Sequence, residues 1–210
     1  MWLDRVERWV RRAGALGVLI FIGAMAVGLW RGFRHPKGRT TGPVPAFVRA
    51  FSGGSLAFYL PASALGFGLT YLLWRPLRLT LSTSVRAGAL ILGALLYFPG
   101  LALMLWGRLA LGEMYNVSTS VGVQLYADHR LVTCGPFTLM RHPMYVGGQL
   151  AELGALLIYR TWATLLIAAL NIPVLWLRAR REEQALAAEF GEQWVAYSQR
   201  VPAWIPRLSR

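Results

Sequence analysis

Three stretches of this chain run for 18 to 20 residues without a charged side chain: AGALGVLIFIGAMAVGLW at 13–30, SLAFYLPASALGFGLTYLLW at 55–74 and AGALILGALLYFPGLALMLW at 87–106. A helix of about 20 apolar residues matches the hydrocarbon thickness of a bilayer. Inside hydrocarbon every backbone N–H and C=O needs a partner from the protein, and a helix supplies them all internally. Two shorter windows follow, MYVGGQLAELGALLIY at 144–159 and TWATLLIAALNIPVLWL at 161–177, separated by Arg160. They read as a tight helical hairpin, with a re-entrant pair as the alternative, since about 16 residues barely reach across. The expected fold is an all-α integral membrane protein with about five transmembrane helices, a C-terminal amphipathic helix and a structured cytoplasmic loop.

Composition agrees. Charged residues make up 15% of the 210, against about 25% in a soluble domain. Trp30, Trp74, Trp106, Trp162 and Trp176 mark window ends, as interfacial aromatics do. The first window ends at Trp30-Arg31 and lacks a small-residue cleavage site, so it reads as an anchor and not as a cleaved leader. The net charge of +13, with Arg as 21 of 22 basic residues, is expected to set topology and to meet anionic lipid head groups. No soluble basic module presents it to nucleic acid. The lone Cys134 excludes an intrachain disulfide framework and a multi-cysteine metal site. With five spans, eight basic residues fall on the face holding the N-terminus, the 75–86 loop and Arg160, and fourteen on the other. The second face is therefore expected to be cytoplasmic, in a cell inner membrane, with the C-terminus on that side.

Residues 1–86 hold two plain helices and a basic Gly/Pro-rich loop at 31–54, suited to anchoring or to walling a substrate. Residues 87–210 form the expected core: helices three to five, a connection at 107–143 and a charged helix and tail at 178–210. That connection is too long for a passive loop. YNVSTSVGVQLY at 115–126 suggests a short hairpin, ADHR at 127–130 a turn, and Asn116-Val117-Ser118 matches a glycosylation sequon.

The polar residues gather around that connection. Pro143 opens the fourth helix, where its missing N–H costs nothing, and it holds Arg141 and His142 at the helix mouth. Such a mouth suits an anionic group such as a carboxylate. Tyr145, Gln149, Glu152, Leu156 and Tyr159 recur at spacings of three and four along one face. Gly147, Gly148 and Gly154 allow close helix approach. Glu152 lies mid-helix, where an acidic residue costs about 2.5–3.5 kcal/mol to insert, so it is expected to face a cavity or a partner. In the tail, Leu186, Phe190, Trp194 and Tyr197 form an apolar stripe, and Glu182 and Arg178 fall on its side.

The stretch from Asp128 to Pro206 resembles the isoprenylcysteine carboxyl methyltransferase / phospholipid methyltransferase family of integral membrane enzymes. The resemblance rests on HRLVTCGPF, RHPMYVGG, REEQAL, FGEQWVAYSQRVP and WIP, in that order. It implies S-adenosyl-L-methionine as methyl donor and a cytoplasmic cofactor pocket. Carried over by position, Leu131, Val132, Gly135 and Pro136 would border the adenosine. His142, Tyr145 and Gly147 would touch the methionine part, with Arg141 beside them, and Arg178, Glu182 and Glu183 would lie near the ribose and amino-acid groups. Phe137 and Trp194 stand where the family commonly has Tyr. Glu152, Tyr145 and Arg178 are the candidate catalytic groups, and Gln149 and Glu152 the candidate acceptor contacts. No metal is implied.

The expected reaction is methyl transfer to a hydrophobic or lipid-like acceptor, with membrane lipids as surroundings. An anionic acceptor would need a nearby Arg; an amine would need a base such as Glu152. The sequence offers both, leaving phospholipid amine, isoprenoid acid, thiol or quinone-like head open. The competing readings are a non-catalytic scaffold and an NADPH oxidoreductase resembling the membrane sterol reductases.

Overall fold

The computed structural model describes residues 2–34, 37–41, 56–115, 123–126 and 129–206. The sequon Asn116-Val117-Ser118, Ala127-Asp128 of the expected turn and positions 42–54 of the basic loop lie outside the described residues.

Five long helices occupy the five apolar windows: α1 Trp2–Arg34, α2 Leu56–Leu72, α3 Thr83–Leu111, α4 Pro143–Tyr159 and α5 Trp162–Phe190. A short α6, Glu192–Arg200, follows. Among the described residues, three segments are long and apolar enough to cross a membrane, Trp2–Val27, Thr83–Met114 and Trp162–Phe190. Helices α2 and α4 have 17 residues each, about 26 Å at 1.5 Å per residue. Leu19, Ile20, Phe67, Ile91, Leu95 and Leu170 are exposed, a display of apolar surface suited to lipid.

The boundaries follow local chemistry. The Ser82 side chain accepts from the Val85 N–H and caps α3. Pro143 fills the first position of α4. Arg160 then takes a left-handed conformation, φ 52°, and its N–H donates to the Leu156 carbonyl to close α4. Thr161 caps α5 through a reciprocal box with Thr164. A two-residue turn thus makes the expected tight hairpin of α4 and α5.

A seam of small residues joins α3 to α4. Gly93, Gly100 and Gly107 recur every seven residues on α3, facing Gly154, Ala151, Gly147 and Met144 on α4. A Cβ at Gly154 would stand 2.5 Å from the Tyr97 nitrogen, and one at Gly100 would stand 2.6 Å from the Gly147 oxygen. The backbones touch, which is how helices gain packing where lipid is as apolar as any side chain. Leu90, Tyr97, Ala151 and Ile158 form the buried core, with Leu3, Val6 and Val10 of α1 packed against it.

One expectation is corrected, and another lies mostly outside the described residues: the hairpin expected within 115–126 spans 116–122, and only its end is described. Strand β2, Val123–Tyr126, pairs antiparallel with β1, Lys37–Thr41, from the loop after α1. The local pattern signals extended backbone but does not name its partner. This ribbon is the one departure from an all-helical architecture among the described residues. The charged segment from 178 is not a separate helix. It continues α5 to Phe190, and the break comes at Gly191, φ 49°, a conformation glycine adopts at little cost.

Candidate active site

Helices α4 and α5 run antiparallel from the Arg160-Thr161 turn and meet in two polar pairs. Near the outer ends Tyr145 donates from Oη to Glu182 Oε2 at 2.7 Å, and the Arg178 guanidinium lies 5.8 Å from the Tyr145 ring. Deeper, Asn171 Nδ2 donates to Glu152 Oε1. Ten residues separate His142 from Glu152, about 15 Å of helix.

Between and beyond these pairs lies a cavity of about 340 Å³. Arg141, His142, Tyr145, Arg178 and Glu182 line one end of it. Met104, Leu175, Glu152 and Asn171 line the other, and Phe21 and Met25 of α1 contribute a wall. Leu131, Val132, Phe137, Trp194 and Tyr197 border it from the loop and from α6.

The Arg-His corner is held from several sides. Glu183 Oε1 accepts from Arg141 Nε at 3.0 Å and lies 2.9 Å from His142 Nε2. Arg141 Nη1 donates to the Ser198 and Val201 carbonyls at 2.8 and 3.0 Å. The N–H groups of Arg141 and His142 donate to the carbonyls of Pro202 and Ala203. His142 is buried, stacked on Tyr145 with ring centroids 5.3 Å apart and packed against Trp204 at 5.1 Å. Glu183 itself does not line the cavity; it ties the corner to α5. Each nitrogen of the Arg141 guanidinium already has a protein acceptor, so Arg141 brings a fixed charge more than free donors.

The remaining candidates divide. Gly135 makes a turn at φ 60°, with a Cβ there 3.1 Å from Ala110 Cβ, and Pro136 is fully buried. Both shape the loop against α3 and neither lines the cavity. Gly147 lies in the α3–α4 seam, while its neighbour Gly148 borders the cavity. Gln149 Nε2 donates to the Ala168 carbonyl at 3.2 Å and stands outside the lining. Phe137 is buried, and its carbonyl accepts from Tyr197 Oη at 2.8 Å; burial pushes the Tyr197 phenol up to about 12. Exposed Cys134 sits at the start of the same turn.

Sequence reasoning did not single out Asn171, Tyr115, His129, Phe21 or Met25, all of which line the cavity. Asn171 left a signal: it is the one amide in the 161–177 window. Tyr115 donates to Met25 Sδ at 3.0 Å and carries Arg108 over its ring at 4.3 Å; burial raises its phenol. Those contacts are long-range in sequence and carry no local mark.

The fold and cavity define a multi-pass membrane protein whose interior joins a charged mouth to a space between the helices. A family model described as phospholipid methyltransferase matches residues 89–193, half of the chain, and the chain belongs to that family. It is 36% identical over 85 residues to protein-S-isoprenylcysteine O-methyltransferase of Schizosaccharomyces pombe, covering 39% of this chain and 35% of that protein. It is 28% identical over 132 residues to protein-S-isoprenylcysteine O-methyltransferase B of Arabidopsis thaliana, covering 53% and 66%. It is 34% identical over 82 residues to the cobalt-zinc-cadmium resistance protein CzcN of Cupriavidus metallidurans, covering 39% and 38%. The matches thus span from 35% to 66% of the length of these relatives. The solved structure of the eukaryotic intramembrane Ras methyltransferase ICMT shares the fold, with a TM-score of 0.52 at 20% identity over 70% of this chain and 52% of that one.

Proposed function

We propose that this protein is an S-adenosylmethionine-dependent methyltransferase that methylates a hydrophobic or lipid-like acceptor at the membrane interface. The reading rests on one observation: a single cavity of about 340 Å³ has charged residues at its mouth and, deeper between the helices, the apolar Met104 and Leu175 beside the polar pair Glu152 and Asn171. The family membership and the names of the relatives support it. Its topology has five spans, with the charged mouth and the C-terminus on the cytoplasmic side of an inner membrane.

The residues present suit the donor. A zwitterionic amino-acid end calls for carboxylate and guanidinium together, and Glu182 and Arg178 share the cavity mouth with the Tyr145 phenol. An adenine calls for flat apolar walls, and Leu131, Val132, Phe137 and Trp194 supply them. When bound, S-adenosylmethionine supplies an electrophilic methyl on a sulfonium. The chain itself has to bind, align and exclude water, and alignment lowers a barrier by about 7–11 kcal/mol at best. Glu183 fixes Arg141 and His142, which in turn set the tilt of Tyr145 by stacking. Tyr145 orients the Glu182 carboxylate. Gly135 and Pro136 act by shaping the loop, and Gly147 by letting α4 approach α3.

The acceptor enters between the helices and presents its polar head near Glu152. Glu152 Oε2 has no hydrogen-bond partner among the described residues. An amine, thiol or hydroxyl acceptor must lose a proton, and that oxygen can take it. A carboxylate acceptor has none to lose and relies on Arg178. Gln149 positions the α4–α5 wall beside this pair.

Titration of the purified protein with S-adenosylhomocysteine, with NADPH in parallel, tests the reading. Binding of the first and not the second is expected. No S-adenosylhomocysteine binding at high micromolar levels, or stabilisation by NADPH alone, overturns it. Lipid extracts incubated with labelled donor then identify the acceptor by mass spectrometry.

A further inference from the structure

The end of the bundle away from the cavity mouth carries a second polar centre. Arg160 lies 18 residues along from His142, about 27 Å, so the two centres sit at opposite ends of α4. Glu7 of α1 is buried and receives three guanidinium groups from three elements. Arg86 of α3 donates from Nε to Glu7 Oε2 at 2.7 Å, while Arg11 of α1 and Arg160 of the hairpin turn pair with Oε1. Arg86 also reaches Asp4 Oδ1 at 2.7 Å. The cluster carries three positive and two negative charges.

Three features ask for more than an internal clamp. The Nη1 groups of Arg11 and Arg86 have no acceptor among the described residues, although each guanidinium is otherwise engaged. A cavity of about 540 Å³ lies against Glu7, Arg11, Arg86 and Arg160. Its further wall is apolar, formed by Trp74, Leu77, Leu79 and Leu81, of which Trp74, Leu79 and Leu81 are exposed. Open guanidinium donors with a net positive charge suit a multi-oxygen anion. An apolar wall at a helix end suits the glycerol and upper acyl carbons that accompany such an anion at a membrane surface.

We propose that this cavity is a phosphate-oxyanion site, held by Arg11 and Arg86, that takes the head group of an anionic phospholipid in the leaflet opposite the methyl-transfer site. Glu7 keeps the arginines in place, and the lipid phosphate takes the donors that Glu7 leaves over. The site is independent of methyl transfer, so its failure and that of the proposed activity are separable.

Native mass spectrometry of the full chain in detergent, supplied with phosphatidylglycerol or phosphatidylcholine, tests it. Wild type is expected to retain one phosphatidylglycerol. Arg11→Gln removes an open donor and is expected to lower retention about tenfold, the effect of losing one charge-assisted hydrogen bond. Leu79→Trp changes an exposed loop residue, breaks no ion pair and fills the cavity; it is expected to lower retention equally without shifting the thermal midpoint. Displacement by millimolar inorganic phosphate with the same dependence on Arg11 keeps the oxyanion site but makes its source the free ion. Equal retention by wild type and both variants, or equal retention of phosphatidylcholine, overturns the proposal.

Discussion

Gly147 and Gly148 are neighbours in sequence, and the structure predicts opposite consequences for giving each a methyl group. A Cβ on Gly147 would lie 2.7 Å from the Gly100 carbonyl oxygen, 2.8 Å from the Met104 nitrogen and 3.0 Å from Met104 Cγ, whereas ordinary contact begins at 3.4 Å. Two of the three atoms are backbone, so no rotamer change relieves the contact. Helices α3 and α4 would have to part by about 0.7 Å, and overpacking of that kind costs roughly 1–3 kcal/mol. A Cβ on Gly148 meets only the flexible end of Met104, at 3.6 Å, but it enters the cavity. Gly147→Ala is therefore expected to lower the thermal midpoint by about 2–12 °C, using 2–4 °C per kcal/mol for a chain of this length. Gly148→Ala should leave the midpoint within about 1 °C and weaken S-adenosylhomocysteine binding or turnover. Thermal unfolding in detergent and ligand titration on both variants check this. Equal stability of Gly147→Ala and wild type, or a less stable Gly148→Ala, would refute the seam. Loss of ligand binding by a fully stable Gly147→Ala would instead make Gly147 a direct ligand contact.

Three further outcomes are expected. Glu183→Gln leaves the cavity lining intact but loosens two charge-assisted contacts to Arg141 and His142. At about 1.5–3 kcal/mol per such bond, discounted for partial exposure, the midpoint should fall by a few degrees, and S-adenosylhomocysteine affinity by calorimetry should fall about tenfold as the corner loosens. Glu152→Gln should keep that affinity and cut turnover at least about a hundredfold for an acceptor that loses a proton; kcat measured beside ligand affinity separates the two, and unchanged kcat removes Glu152 from proton transfer. Tyr197 is pushed up to about 12 by burial, while the unfolded phenol ionises near 10. The neutral phenol is the form the fold favours, so its contribution is complete below about pH 10 and is lost as pH rises toward 12. Tyr197→Phe should lower the midpoint at neutral pH, by losing the bond to the Phe137 carbonyl, and should flatten its alkaline decline.

Legibility in the sequence followed interaction range. The five helices were readable because apolar run length and capping residues act within a few turns: Pro143 and Thr161 announce their helices. Glu152 announced itself because an acidic residue in an apolar window is costly anywhere. Gly93, Gly100 and Gly107 were overlooked as a seam, since their meaning depends on which helix lies opposite. Asn171 was missed for the same reason until the hairpin register paired it with Glu152. The strand at 123–126 was legible as extended, but its partner lay some 80 residues away in another loop.

Residence in a membrane as a set of helices, with a polar corner at Arg141-His142 opening the fourth, follows from the residues alone. Those properties depend on solvation of short segments and need no knowledge of neighbours. The packed arrangement of helices is what sets Glu183 to hold the corner while Glu182 faces the cavity, Gly147 to pack while Gly148 borders the void, and Glu7 to gather three arginines at the far end. Each of these is set by the relative placement of helices, which backbone contact along the glycine seam and the two-residue turn at Arg160-Thr161 fix together.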